Sequence, residues 1–245
     1  MFDRVAARYD FVNDVMTMGQ HRTWRRFAAR ATRPTGARVL DLATGTGDLA
    51  IQFAHAGARR IIALDFSEAM LVAAQAKFRS TRMPTPVDLV QGDVLHLPFP
   101  DQSFDRVSSA FLLRNLTSLG AGLAEMYRVL SPGGWLIALE VTHPDSSVMS
   151  RLAGWWFQRV VPIVGGALSG QWSAYEYLPA SLGPLPPARN LSEMMIHVGF
   201  RNVHFERLGL GSVAVHVGQV QGSAENVDDE WRPRTIPGSA PTPTA

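Results

Sequence analysis

The stretch "VLDLATGTGDLA", Val39 to Ala50, is an apolar run that breaks into glycines and then resumes with helical spacing. A buried strand, a tight turn and a helix start follow from that order of residue types. Asp41 closes the strand, and Gly45 and Gly47 sit in the turn. Glycines there let a ligand touch bare backbone, and the helix that follows offers unpaired N–H groups. By itself such a loop is also what any tight strand-to-helix turn looks like.

Working outward, strands and helices alternate. "RRIIALD" is a second strand, and Ser67 caps a helix over "SEAMLVAAQAKFRS" with Glu68 in its first turn. "PVDLVQGD" and "FDRVSSAFLL" are a third and fourth strand. "LTSLGAGLAEMYRVLSPGG" reads as a helix stopped by Pro132, Gly133 and Gly134, and "WLIALEV" is a fifth strand. Alternation of this kind gives a parallel sheet with helices on both faces. After "LSEMMIHVG", with Asn190 and Glu193 as a capping box and Gly199 as the stop, "RNVHFERL" and "GSVAVHVGQV" form an antiparallel hairpin. The expected fold is α/β: a doubly wound, seven-stranded, mostly parallel sheet with an antiparallel final strand.

Three regions lie outside this rhythm. Residues 1–36 are rich in Arg, with Phe2, Val5, Tyr9, Val12 and Met16 at helical steps, ended by Pro34 and Gly36. They are expected to form a helical lid of one or two helices. Residues 142–189 carry three of the six tryptophans and no clear strand, as an insertion on the ligand side of a domain spanning 37–221. Residues 222–245 are polar and rich in Pro and Thr, the composition of a disordered tail.

Bulk composition narrows the function classes. The chain has 245 residues, 46% of them hydrophobic, which suits one packed core. Its net charge of +2 makes no case for nucleic acid. There are no cysteines, which removes disulfides, thiol nucleophiles and thiolate metal sites and fits a cytoplasmic protein. No run approaches the roughly 20 apolar residues of a membrane span.

The strand ends then carry the chemistry. Asp65 ends the second strand, eighteen residues after Gly47, where an acid can accept from both ribose hydroxyls; read alone it is equally a helix cap. Asp93 and Val94 follow the third strand, where they suit an adenine amine and ring, or a simple turn. Loop, ribose acid and adenine acid at successive strand ends together point to a nucleoside cofactor. A dinucleotide loop wants G-x-G-x-x-G; here the spacing is A-x-G-x-G, with Asp48 where a phosphate would be repelled. That favours a cofactor without phosphate, S-adenosylmethionine, and no metal.

On these residues the chain resembles the menaquinone/ubiquinone-biosynthesis C-methyltransferase family, of the class I methyltransferase fold. "FDRVAARYDFVNDVMTMGQHRTWRR" is similar to its N-terminal signature and "LDLATGTGDLA" to its cofactor loop. "LPFPDQSFD", "LRNL", "EMYRVLSPGG", "YEYLPASL" and "LSEMMIHVGF" have counterparts in the same order. The resemblance implies Thr46, Asp65, Asp93 and Val94 as cofactor contacts. They join Asp41, Gly45 and Gly47 of the loop, with Phe66 next to Asp65. It implies a polyprenylated hydroquinone substrate, a lipid quinol such as a demethylmenaquinol, methylated on a ring carbon. It places Arg114 and Asn115 beside that ring as catalytic residues; spacing alone reads the two as an ion pair and cap at a helix start. Tyr9 and His21 would fold over the cofactor, Tyr175 and Tyr177 would line the ring pocket, and His143 is a candidate base. The alternatives are a methyltransferase of another phenolic or carbon-acid substrate, a nicotinamide-dependent oxidoreductase, or an inactive assembly protein.

Two departures stand out. The family's Ser-Phe-Gly before "LRN" is Ala110-Phe111-Leu112 here, and its His-Arg-Gly in the last strand is His216-Val217-Gly218. The family's residues ahead of its first Phe are nearly absent, so the natural start is expected upstream. Trp155, Trp156 and Phe157 between Arg151 and Arg159 suit either a buried insertion helix or a membrane interface. A peripheral contact with the inner face of the membrane and a homodimer complete the expected partners.

Overall fold

The computed structural model describes residues 9–142 and 185–222. Five parallel strands come first: β1 (Arg38–Leu42), β2 (Arg60–Asp65), β3 (Val87–Gln91), β4 (Phe104–Ala110) and β5 (Leu130–Val141). Then β6 (Arg201–Leu208) and β7 (Val213–Gln219) pair antiparallel, and β7 also runs antiparallel to β5. The sheet order is β3-β2-β1-β4-β5-β7-β6. The chain therefore winds one way from β1 to β3 and the other way from β4, and the crevice where strand order reverses lies at the carboxyl end of β1.

Alternation along the strands feeds two cores. Val39, Ile61, Ala63, Ile137 and Leu139 point to one face. There they pack on α2 (Gln20–Arg30), α3 (Asp48–His55) and, through Phe78, on α4 (Glu68–Thr81). Leu40, Leu42, Ile62, Leu64, Leu136 and Ala138 point to the other. There they pack on α5 (Leu119–Val129) and α6 (Ala188–Val198). The N-terminal segment is two helices, α1 (Tyr9–Thr17) and α2. Phe2 and Val5 lie outside the described residues, as do His143, Tyr175, Tyr177, Trp155, Trp156, Phe157 and the segment from 223 onward.

Three boundaries differ from the sequence reading. Helix α2 ends at Arg30, before Pro34 and Gly36. Helix α5 ends at Val129, and Pro132, Gly133 and Gly134 belong to the irregular start of β5. The glycines there serve a close backbone approach. Gly133 N–H donates to the Val220 carbonyl, and a Cβ on Gly134 would come 2.8 Å from the Ser131 oxygen. The Asn190–Glu193 capping box does not form: α6 starts at Ala188 behind Pro187, with no side-chain cap. Pro187, with φ −52°, is already set for a helix start and leaves Asn190 inside the first turn. Ser67 does cap α4, accepting from Met70 N–H at 3.2 Å, and Gly199 ends α6 at φ 123°.

Candidate active site

Asp41 brings the first charge to the switch point. It is 1% exposed, between a short loop and the neighbouring strand. Its Oδ2 accepts from Thr44 Oγ1 at 2.7 Å and its Oδ1 from Ser108 Oγ, on β4, at 2.7 Å. Burial pushes its carboxyl up to about 6, against the pull of those hydroxyls and of the Arg25 charge. The loop beyond it is left-handed at alternate residues: Ala43 at φ 49°, Gly45 at 57° and Gly47 at 86°. At Gly47 a Cβ would also sit 2.3 Å from the Phe78 ring, so shape and space both require glycine. Asp65 fastens this loop to the next. Gly45 N–H donates to its Oδ2 at 2.7 Å and Ser67 N–H to its Oδ1 at 2.9 Å. Ser67, not Asp65, is the helix cap.

A polar network from the N-terminal helices lies on the loop. Thr46 Oγ1 donates to Asp10 Oδ1, in α1, at 2.6 Å. Lys77 in α4 donates to Thr46 Oγ1 at 2.9 Å and to Asp48 at 2.7 Å, and pairs with Asp10 as well. Burial alone would raise the Asp48 carboxyl; the charges of Arg25 and Lys77 hold it below its usual value instead. His21, 2% exposed, bonds Asp14 through Nε2 at 2.7 Å and accepts from Arg25 through Nδ1. Burial first, and Arg25 next, lower its pKa; with Nδ1 facing the Arg25 donor and Nε2 facing Asp14, the neutral ring carries its proton on Nε2. His21 Nδ1 also comes within 3.9 Å of Asp48 at the end of the loop; the Tyr9 side chain lies outside the described residues.

The cleft left between loop and helices is lined by Arg25, Asp41, Gly45, Thr46, Asp48 and Ala110 among others. Phe66, 77% exposed, stands at the end of β2, and Asp93 and Val94 follow β3. Asp93 Oδ1 accepts from Leu95 N–H at 2.9 Å, a turn bond, and Val94 is buried. The row from Asp41 to Val94 therefore occupies three successive strand ends. The polar cleft by the loop suits an amino-acid end, and the exposed Phe66 ring suits a purine. Those residue types suit S-adenosylmethionine, and the glycine loop, Asp65, Phe66, Asp93 and Val94 are the residues that would hold it.

Arg114 and Asn115 lie in a single 3-10 turn, Leu113–Asn115, after β4. Arg114 Nη1 donates to Glu140 Oε1 at 2.7 Å, and Leu113 N–H donates to Glu140 Oε2 at 2.8 Å. Asn115 Nδ2 donates to the Phe111 carbonyl at 3.2 Å, while Ser118 caps α5. The ion pair that spacing suggested is therefore present. Glu140, 1% exposed at the end of β5, was missed; its signal was a lone acid closing the apolar run "WLIAL". Arg25, Lys77 and Asp10 were missed too, because nothing local marks them. Of the departures, Ala110 faces the cleft, but Leu112 is buried in the α5–α6 core and adds no bulk to the site.

Sheet order and strand-end cleft define the class I methyltransferase fold. The chain belongs to the ubiE/COQ5 methyltransferase family, whose model matches residues 1–220. It is 38% identical over 221 residues to the demethylmenaquinone methyltransferase of Lactiplantibacillus plantarum, covering 89% of this chain and 93% of that one. With the demethylmenaquinone methyltransferase of Thermus thermophilus it shares 40% over 220 residues, 89% of this chain and 99% of that one. The ubiquinone/menaquinone biosynthesis C-methyltransferase of Shewanella piezotolerans is 40% identical over 222 residues, 89% and 88% of the two chains. Among solved structures, the fold is like that of the [4+2]-cyclase SpnF, at TM-score 0.64 and 19% identity over 82% of each chain. A SAM-dependent methyltransferase from Aquifex aeolicus matches at TM-score 0.54 and 18% identity, over 76% of this chain and 83% of that one. Among the described residues no helix is long and apolar enough to cross a membrane.

Proposed function

We propose that this enzyme methylates a ring carbon of a demethylmenaquinol-like polyprenyl hydroquinone, acting on a lipid quinol at the face of a membrane. The names of the 38–40% identical relatives support the substrate class. The observation that carries the reading is the Arg114–Glu140 pair at the carboxyl edge of the sheet.

The bound cofactor supplies an electrophilic methyl group on sulfonium. A quinol ring carbon becomes a good nucleophile only as the adjacent hydroxyl loses its proton. Arg114 is the group for that task. Its guanidinium is 12% exposed and cannot turn freely, since Glu140 holds Nη1 and is itself held by Leu113 N–H. A fixed cation of this kind stabilises a developing phenolate, or holds the water that takes the proton. Asn115 fixes the turn on which Arg114 is carried. Orientation of ring carbon against methyl group is worth several kcal/mol.

The test is incubation of purified protein with labelled S-adenosylmethionine and demethylmenaquinol, reading methyl on the ring carbon by mass spectrometry. Ring-methylated product is expected. Cofactor binding without product would redirect the search to other phenolic acceptors. Arg114→Ala is expected to lower turnover by about 100-fold with cofactor affinity unchanged. If both fall together, Arg114 is only part of the frame and its catalytic role is wrong.

A further inference from the structure

Arg25, in α2, is 5% exposed, and a guanidinium so buried normally meets a carboxylate. This one does not, among the described residues. Its Nη1 donates to His21 Nδ1 and, at 3.5 Å, to the His21 carbonyl. Its carbon lies 5.4 Å from the centre of the Phe111 ring. Nη2 and Nε donate to no described residue. Two acids are near, and both are engaged elsewhere. Asp41 accepts from two hydroxyls, and Asp48 is paired with Lys77. His21 is neutral, so it orients Arg25 without neutralising it. The guanidinium lines the cleft beside Gly45, Thr46 and Ala110.

We propose that Arg25 is the receptor for the α-carboxylate of the cofactor's methionine half. A planar guanidinium with two nitrogens uncommitted matches a carboxylate in a bidentate pair. Asp41 lines the same cleft, so the pocket offers both signs to a zwitterion: carboxylate at Arg25, ammonium toward Asp41. Phe111 supports the arrangement. It holds φ 60°, a costly backbone for a bulky aromatic, and its N–H donates to the Leu139 carbonyl at 2.8 Å. The ring so fixed is the platform on which Arg25 rests.

The proposal rests on the S-adenosylmethionine reading, and calorimetry separates the two. Two ligands are compared: S-adenosylhomocysteine, and 5′-methylthioadenosine, which keeps the nucleoside and thioether but has no amino-acid end. Arg25→Ala is expected to weaken S-adenosylhomocysteine by about 30- to 100-fold, the range for a lost bidentate charge pair, and to leave methylthioadenosine unchanged. Arg25→Lys is expected to recover part of the loss, since the charge remains but the fork does not. Equal losses for both ligands would make Arg25 a packing residue and overturn the assignment. So would no loss for either. If the wild-type protein binds neither ligand, the cofactor reading fails and takes this one with it. Thermal unfolding of each variant guards against a collapsed site, with Arg25→Gln, closer in shape, as the second variant.

Discussion

Two acids stand at the carboxyl edge of the sheet, on strands separated only by β4. Asp41 ends β1 and Glu140 ends β5, and each is 1% exposed. Asp41 is met by two hydroxyls; Glu140 is met by the Arg114 guanidinium and by the N–H groups of Leu113 and Val141. Beside each acid is an arginine, and the Phe111 ring lies between the two, 5.4 Å from Arg25 and 5.5 Å from Arg114. The difference is how charge is compensated. Where an arginine meets the acid directly, the guanidinium is fixed in one orientation. Where hydroxyls satisfy the acid, both it and the nearby arginine keep their charge for a ligand that carries both signs.

The strongest way to break this contrast is to remove Glu140. Glu140→Ala strands a nearly buried guanidinium and two backbone donors, and is expected to cost about 3–5 kcal/mol of stability in urea unfolding. Replacing both partners with apolar residues, Arg114→Met with Glu140→Met, is expected to restore most of that stability and leave turnover abolished. A double variant as unstable as Glu140→Ala would mean that Glu140 anchors the turn through its backbone bonds alone.

How far this was legible in the sequence follows from the range of each interaction. The glycine loop was readable because its constraints are local: alternate residues need left-handed backbone, and Gly47 needs room against Phe78. The seven strands, mostly parallel with an antiparallel end, followed from alternation and the final hairpin; their order in the sheet came only from the structure. The network of Asp10, Thr46, Asp48 and Lys77 was not readable, since it joins three elements that no local pattern connects. The Asn190–Glu193 pattern misled because a capping pair has the same spacing one turn into a helix, and Pro187 had already fixed an earlier start. For Arg114 the ion-pair reading holds, and the catalytic role proposed for it would use the same partner, Glu140, to aim the guanidinium.

A second test bears on the loop side. Asp65 is held between Gly45 N–H and Ser67 N–H, so Asp65→Ala loosens the loop as well as removing the acid proposed to accept from the ribose. The expected loss is roughly 2 kcal/mol of stability, together with at least a tenfold loss of S-adenosylhomocysteine affinity by calorimetry. Asp65→Asn leaves one acceptor and two donors, and is expected to fall between. Full affinity in Asp65→Ala would show that the loop keeps its shape without this acid.

The smallest effect is the most direct measure of Asp41's uncancelled charge. Its carboxyl is raised to about 6, so the folded protein holds that proton more tightly than the unfolded chain does. The acid therefore costs stability above pH 6, and the cost is relieved as the pH falls from 6 toward 3.8, the ordinary value. Asp41→Asn has no such proton. Relative to it, the wild type is expected to gain on the order of 1 kcal/mol of unfolding free energy between pH 8 and pH 5. His216, buried and lowered to about 4, works in the opposite direction, losing stability as the pH falls below its ordinary 6.5. It is present in both proteins and drops out of the difference. A pH-independent difference would mean that Thr44 and Ser108 compensate Asp41 as fully as an arginine would, and the contrast with Glu140 would then be one of geometry and not of charge.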